Sequence, residues 1–447
     1  MTETYWCEHA WLGGEGVATG VLLTVADGVI AAVEPGADAS PREATRLGGL
    51  TLPGFANTHS HSFHRALRGR THSDGGTFWS WRERMYELAA VLDPDPFEAL
   101  AAATFAEMVL AGYTVVGEFH YLHHDRHGVS YADPNELGHR VVAAARQAGI
   151  RLTLLDTCYL HGGFGTEPNS VQRRFSDGNA PHWINRAGDL VDTPTCRVGA
   201  AIHSVRAVDP ESIRTVATWA ADRDLPIHAH VSEQPRENAD CLAAYGATPI
   251  GVLDDAGALS ERFTAVHATH VGDDDIATLA SHRSCCCICP TTERELADGI
   301  GPTARLRHAG VKLCIGSDSQ AVIDPFEETR AVELNERLSS LRRGNHQPDE
   351  LLTAATSSGY ASLGWTGGGS LAVGSLADFV TVGFDSPRLA GSDHDDPLGA
   401  AVFAGASTDV RHVVVGGEVV VSDGVHERVD VTAALGESIT AAWAAVR

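Results

Sequence analysis

Two histidines separated by one residue, His59 and His61, stand at the end of an apolar run. Side chains alternate along a strand, so both imidazoles would face one side and could share a cation. His230, His267 and Asp318 end later apolar runs, so metal-compatible groups recur along the chain. Neutral imidazoles with a carboxylate suit Zn²⁺ or a similar divalent ion that keeps one position open for water. Each of these residues alone reads as well as a polar cap where a strand meets a loop; their joint placement carries the metal reading. Glu233 follows His230 by three residues, and a carboxylate there reaches the water or the leaving group as a general acid and base. A solvated loop glutamate is its plainer alternative.

For such residues to meet, the elements that carry them must end at one rim. Eight short apolar segments, at 51–57, 114–119, 151–158, 197–202, 226–230, 263–267, 284–289 and 312–316, alternate with helical stretches such as 96–111 and 134–149. Eight β-then-α units imply a (β/α)₈ barrel, with chemistry at the C-terminal ends of its strands. His59 and His61, His230, His267 and Asp318 then occupy four of the eight strand ends. The two chain ends have another rhythm. Apolar runs around Asp27-Gly28 and around Gly416-Gly417 read as hairpins, and 370–383, after Gly367-Gly368-Gly369, reads as strands. The expected organisation is a small β-sandwich from 1–52 and 367–447 enclosing a barrel at 53–366. An Ala-rich segment at 432–446 reads as a helix that packs on its own barrel or on a neighbour.

Longer motifs carry a resemblance. Leu52-Pro53-Gly54-Phe55-Ala56-Asn57-Thr58-His59-Ser60-His61, the late Gly316-Ser317-Asp318-Ser319 and the split β unit resemble the amidohydrolase superfamily. More narrowly, over nearly its whole length, the chain resembles the formimidoylglutamate deiminases. The motifs are Phe78-Trp79-Ser80-Trp81-Arg82-Glu83, Glu118-Phe119-His120-Tyr121, Gly163-Phe164-Gly165, His203-Ser204-Val205-Arg206-Ala207-Val208, Ser232-Glu233-Gln234, Val266-His267-Ala268-Thr269-His270 and Cys289-Pro290-Thr291-Thr292-Glu293. The resemblance implies a homodimer with one divalent metal ion per subunit, Zn²⁺ foremost and Fe²⁺ also tolerated, held by His59, His61, His230 and Asp318.

It further implies hydrolysis of N-formimino-L-glutamate to N-formyl-L-glutamate and ammonia, a step of histidine degradation, by a zinc-bound hydroxide. Asp318 would accept the water's proton, Glu233 would protonate the imine nitrogen and then the departing amine, and His267 would hold the hydroxide. Arg82, Tyr121, His203 and Arg206 would hold the substrate's carboxylates, which suits the bidentate grip of guanidinium groups. Without the resemblance, each arginine reads as a surface ion pair. His64 stands where the family usually has Gln, which alters one substrate or water contact, and Gln320 stands where it often has His. Two rivals remain open: a hydrolytic deaminase of an aminated heterocycle (guanine-, adenine- or cytosine-like), which needs no pair of arginines, and a non-catalytic scaffold, against which the intact ligand set and Glu233 speak.

Composition adds limits. Among 447 residues, 33 are Lys or Arg and 58 Asp or Glu, a formal charge of −25 that argues against nucleic acid and anionic membranes as partners. The acidity reads as an adaptation for solubility or high salt. The one lysine, Lys312, lies in the eighth strand, whereas binuclear superfamily members carry a carboxylated lysine on the fourth; a lysine-bridged pair of metals is excluded. No run of about 18 apolar residues is present and the first residues show no export pattern, so with nine cysteines a cytoplasmic setting is expected. Cys285-Cys286-Cys287-Ile288-Cys289 reads as core packing on the seventh strand. Glu118, His120, Tyr121, His123 and His124 read as pocket and loop lining rather than a second metal site, and Trp79 and Trp81 as a pocket wall or lid.

Overall fold

The apolar run at 51–57 contains Pro53-Gly54, and these two residues divide it. Proline has no amide hydrogen for a ladder, and a Cβ on Gly54 would lie 2.0 Å from Thr114 Oγ1. The chain therefore changes sheets at this point instead of running on as the single strand expected. A computed structural model describes residues 2–14, 16–37, 43–72, 76–392 and 396–446; the side chain of Trp79 lies outside the described residues.

Before the break, β1 (Thr2–Ala10), β2 (Ala18–Ala26), β3 (Val29–Glu34) and β4 (Thr45–Pro53) lie in one sheet. After it, β5 (Phe55–Ser60), β6 (Tyr113–His120), β7 (Arg151–Cys158), β8 (Cys196–Ile202), β9 (Ile227–Val231), β10 (Phe263–His267), β11 (Cys285–Ile288) and β12 (Lys312–Ile315) pair in parallel in that order. β13 (Phe379–Val382), β14 (Val410–Val415), β15 (Glu418–Ser422) and β16 (Val425–His426) then rejoin the first sheet. The result is a (β/α)₈ barrel with a β-sandwich unit drawn from both chain ends.

The sandwich unit is one sheet of eight strands, in the order β16-β15-β14-β13-β4-β1-β2-β3. Its own apolar core includes Tyr5, Leu23, Ile30, Phe379 and Val414. Both expected hairpins form, β2 with β3 and β14 with β15. The stretch at 370–383 yields only β13, because its first half turns back on itself: Ser370 and Ser375 share a 2.7 Å hydroxyl contact, and Ser375 N donates to Ala372 O at 3.0 Å.

In the barrel, helices return each strand to the next with local stop signals. Asp209 caps helix Pro210–Asp222 by accepting from the amides of Glu211 and Ser212, and Gly149, at φ +75°, ends helix Glu136–Ala148. The ring closes where Ser60 bridges Asp318 in parallel, with Asp318 N donating to His59 O at 2.9 Å and His61 N to Asp318 O at 3.1 Å. Gly316 permits this approach, since a Cβ there would lie 2.9 Å from both the Cβ and the carbonyl oxygen of His59. The C-terminal helix Val431–Val446 packs on its own barrel, against helix Pro94–Leu110, with Trp443 Nε1 donating to Ala66 O at 2.7 Å. No described helix is long and apolar enough to cross a membrane.

Candidate active site

Barrel closure brings the first and last strand ends together, and the chemistry gathers at that seam. The ligand atoms of His59, His61, His230 and Asp318, all buried, lie within 4.8 Å of one another. Asp318 Oδ1 is 3.4 Å from Nε2 of both His59 and His61, and His59 Nε2 is 3.1 Å from His230 Nε2. His61 Nδ1 is 3.0 Å from Phe119 O and His230 Nδ1 is 2.8 Å from His203 O. Carbonyls only accept, so in both rings the hydrogen sits on Nδ1 and the Nε2 lone pair points inward. Burial, reinforced by the neighbouring imidazoles, holds His59, His61 and His230 well below the ordinary histidine value, in the neutral form that ligates. Converging lone pairs beside a carboxylate fit a divalent cation.

His267 faces the same point from the end of β10. Its Nε2 is 3.7 Å from Asp318 Oδ2 and 3.9 Å from Glu233 Oε1, while Nδ1 is 3.5 Å from Glu293 Oε1. Burial opposes charge on this ring, but Glu233, Glu293, Cys289 and Asp318 outweigh it and raise the imidazole well above its ordinary value. The backbone turns sharply here: His267, Ala268 and Asp318 have φ of +69°, +49° and +42°, a left-handed conformation that costs free energy for non-glycine residues and collects at working sites. Glu233 is buried, and burial raises its carboxyl above the usual range despite His267 and Arg206.

Behind the histidines, Glu118 accepts 2.7 Å hydrogen bonds from Ser60 Oγ, Ser62 N and Ser62 Oγ, clamping the residues on either side of His61. Burial lifts its carboxyl to about 7 against those donors. Gln320 is also a brace: its Nε2 donates at 2.9 Å to Ser60 Oγ and to Asp318 O. Of the group expected as lining after the second strand, Tyr121 lines the pocket. His123 instead bonds Thr157 O at 2.9 Å, and His124 lies 3.2 Å from Asp177.

Over this rim opens a cavity of about 600 Å³, lined among others by His64, Arg82, Tyr121, His203, Arg206 and Glu233. His64 Nε2 is 2.8 Å from Tyr121 Oη, and burial drops the His64 imidazole to about 3, so it is a neutral partner. Burial, with His230, Arg206 and Arg82, likewise pushes His203 well below its ordinary value. Arg206 lies 3.7 Å from both Glu233 and Glu237, and Arg82 rides 5.6 Å over the Tyr86 ring. Phe78 and Trp81 form part of the wall. Sequence reasoning missed Tyr86 and Tyr159, which Gln172 ties together by donating to their hydroxyls at 3.1 and 2.7 Å. It also missed Glu237 and Glu293. Glu293 belongs to the Cys289-Pro290-Thr291-Thr292-Glu293 motif, whereas Gln172 opens a short 3-10 helix, Gln172–Phe175, with no local signal.

The cysteine run is core, as expected: Cys285, Cys287 and Cys289 pack with Val266 and Cys314, and Cys286 turns into the main core.

Comparison with known proteins adds ancestry to this geometry. A sequence model described as the amidohydrolase family matches residues 50–420. A formimidoylglutamate deiminase from Pseudomonas aeruginosa is 41% identical over 426 residues, covering 92% of this chain and 93% of that protein. A crystal structure of an amidohydrolase from Brucella melitensis superposes with a TM-score of 0.90 at 34% identity, over 99% of this chain and 100% of that one. An adenosine deaminase from Xanthomonas campestris, solved with bound zinc, superposes with a TM-score of 0.87 at 25% identity, over 99% and 98%. The family match runs through every barrel strand, so the chain belongs to the amidohydrolase family and is a metal-dependent hydrolase acting on C–N bonds.

Proposed function

We propose that the protein hydrolyses the amidine C–N bond of N-formimino-L-glutamate to give N-formyl-L-glutamate and ammonia in histidine degradation. The observation that carries this reading is the pair Arg82 and Arg206 in the cavity that also holds Glu233 and the His/Asp group; the third arginine of the lining, Arg236, is exposed and paired with Asp240 at 3.2 Å. Two guanidinium groups match a substrate with two carboxylates. The likeness to the Pseudomonas aeruginosa deiminase supports the same substrate.

His59, His61, His230 and Asp318 would hold the cation, which we take to be zinc on the strength of its N/O donor set, with Fe²⁺ tolerated by the same ligands. Bound there, the ion supplies a Lewis acid that makes water nucleophilic near neutral pH. Asp318 accepts the attacking water's proton on Oδ2, the oxygen turned toward His267. His267, kept cationic by its carboxylates and oriented by Glu293, donates to the oxygen added at the formimino carbon. Glu233, whose carboxyl burial biases toward the protonated form, gives its proton to the imine nitrogen, and a second transfer lets that nitrogen leave as ammonia. Tyr121, His64 and His203 offer neutral hydrogen bonds beside the arginines. The nine free cysteines fit a reducing, cytoplasmic setting.

The likeness to an adenosine deaminase favours a second reading, deamination of an aminated heterocycle. Ammonia release from the metal-loaded enzyme, measured on formimino amino acids beside guanine, adenine and cytosine derivatives, tests both. Turnover confined to formimino-glutamate is expected. Turnover of a heterocycle with none of the formimino compound would replace this function by the second.

A further inference from the structure

Asp318 has two carboxylate oxygens with different neighbours. Oδ1 faces His59 and His61 at 3.4 Å, whereas Oδ2 faces His267 Nε2 at 3.7 Å. On that second side stands a thiol: the ligand atoms of His267, Cys289 and Asp318 lie within 4.8 Å of one another, and all three residues are buried. His267 Nε2 is a buried nitrogen with no hydrogen-bond partner. Its ring is held from the other side by Glu293, whose Oε1 also accepts from Cys289 N at 2.9 Å, so one carboxylate sets both the imidazole and the strand end bearing the thiol. Glu233 Oε1, 3.9 Å from Nε2, offers a further oxygen on the cavity side.

We propose that His267, Cys289 and Asp318 form a second cation subsite, specific for thiophilic divalent ions such as Cd²⁺ or excess Zn²⁺, that shares Asp318 with the first. The proposal rests on reading the first group as metal-binding, and it is independent of the substrate. A thiolate with one imidazole and one carboxylate selects soft and borderline ions over Mg²⁺ or Ca²⁺. Binding displaces the Cys289 thiol proton and the His267 Nε2 proton to solvent and forms a metal–sulfur and a metal–nitrogen bond, with no change of oxidation state. An ion there takes the Nε2 that catalysis needs, so the subsite is inhibitory. It also requires no lysine, and so escapes the composition argument against a lysine-bridged pair. The deeper thiols of Cys285 and Cys314, 3.3 Å apart, have no imidazole or carboxylate in any metal-capable group among the described residues.

The test uses zinc-loaded enzyme equilibrated with Cd²⁺. Zinc and cadmium are both counted by elemental analysis after dialysis, and the thiolate-to-cadmium charge-transfer band is read in the ultraviolet. The intact enzyme should gain a second ion per chain with the band and lose activity. Cys289→Ser should keep its zinc, bind Cd²⁺ at least about tenfold more weakly, lack the band and resist inhibition. Cys314→Ser should behave as the intact enzyme. A total that stays at one ion, or a band that survives Cys289→Ser and vanishes in Cys314→Ser, would overturn the subsite.

Discussion

Around His267, three carboxylates divide the work by distance and burial. Glu293 orients the ring, Asp318 shares the ligand cluster, and Glu233 faces the cavity with a carboxyl that burial biases toward the protonated form. Glu233→Gln removes the transferable proton but no ligand. It should therefore retain the metal, by elemental analysis, while kcat falls at least about 100-fold. Full turnover would remove Glu233 from proton transfer. Arg206 is held between Glu233 and Glu237 at 3.7 Å from each, ready to exchange those partners for a substrate carboxylate. Replacing it with methionine should lower kcat/KM for formimino-glutamate by about 10- to 100-fold, in line with the loss of a charge-assisted hydrogen bond of about 1.5–3 kcal/mol. An unchanged value would place Arg206 outside the binding site.

At the level of elements, two glycines decide where strands go. Gly54 lets the chain leave the sandwich sheet against Thr114, and Gly316 lets β12 reach β5 to close the barrel. The added methyl of Gly316→Ala falls on the backbone and Cβ of His59, neither of which is a flexible side-chain tip. Overpacking of this kind should cost about 1–3 kcal/mol and weaken metal binding through the displaced ligand, as a denaturation midpoint and a metal titration would report. Unaltered metal affinity would show that the seam can relax without moving His59. The same seam explains which parts of the fold were legible. The His-x-His alternation and the later strand ends follow from local periodicity. The division of 51–57 at Gly54 does not, because Thr114, the neighbour that forbids a side chain, lies on the next strand.

Across the whole molecule, the barrel and sandwich are joined by a buried ion pair. Arg151 on β7 donates to Asp378 through Nε at 2.6 Å and a terminal nitrogen at 3.1 Å, while Tyr360 Oη and Gly416 N also donate to that carboxylate at 2.8 and 2.6 Å. Asp378→Ala leaves a buried guanidinium without its carboxylate and takes an acceptor from Tyr360 Oη and Gly416 N, so a loss of about 3–5 kcal/mol is expected by denaturant unfolding. A change below about 1 kcal/mol would mean that water re-solvates Arg151. The −25 charge acts on the same scale. Salt shortens the reach of self-repulsion from about 10 Å at 0.1 M to about 3 Å at 1 M, so the melting temperature should rise over that range. A flat or falling curve would end the salt-adaptation reading.

The sequence by itself determined the strand–helix alternation, the residue types at the strand ends and the exclusion of a lysine bridge, because periodicity, residue chemistry and composition are local or additive properties. Tertiary structure alone decided that Gln320 ties Ser60 of the first barrel strand to the Asp318 turn, that Gln172 couples two pocket tyrosines, and that Cys289 in a core-packing run also borders His267. Each of these depends on distances between residues far apart in the chain, which are set only when the barrel closes.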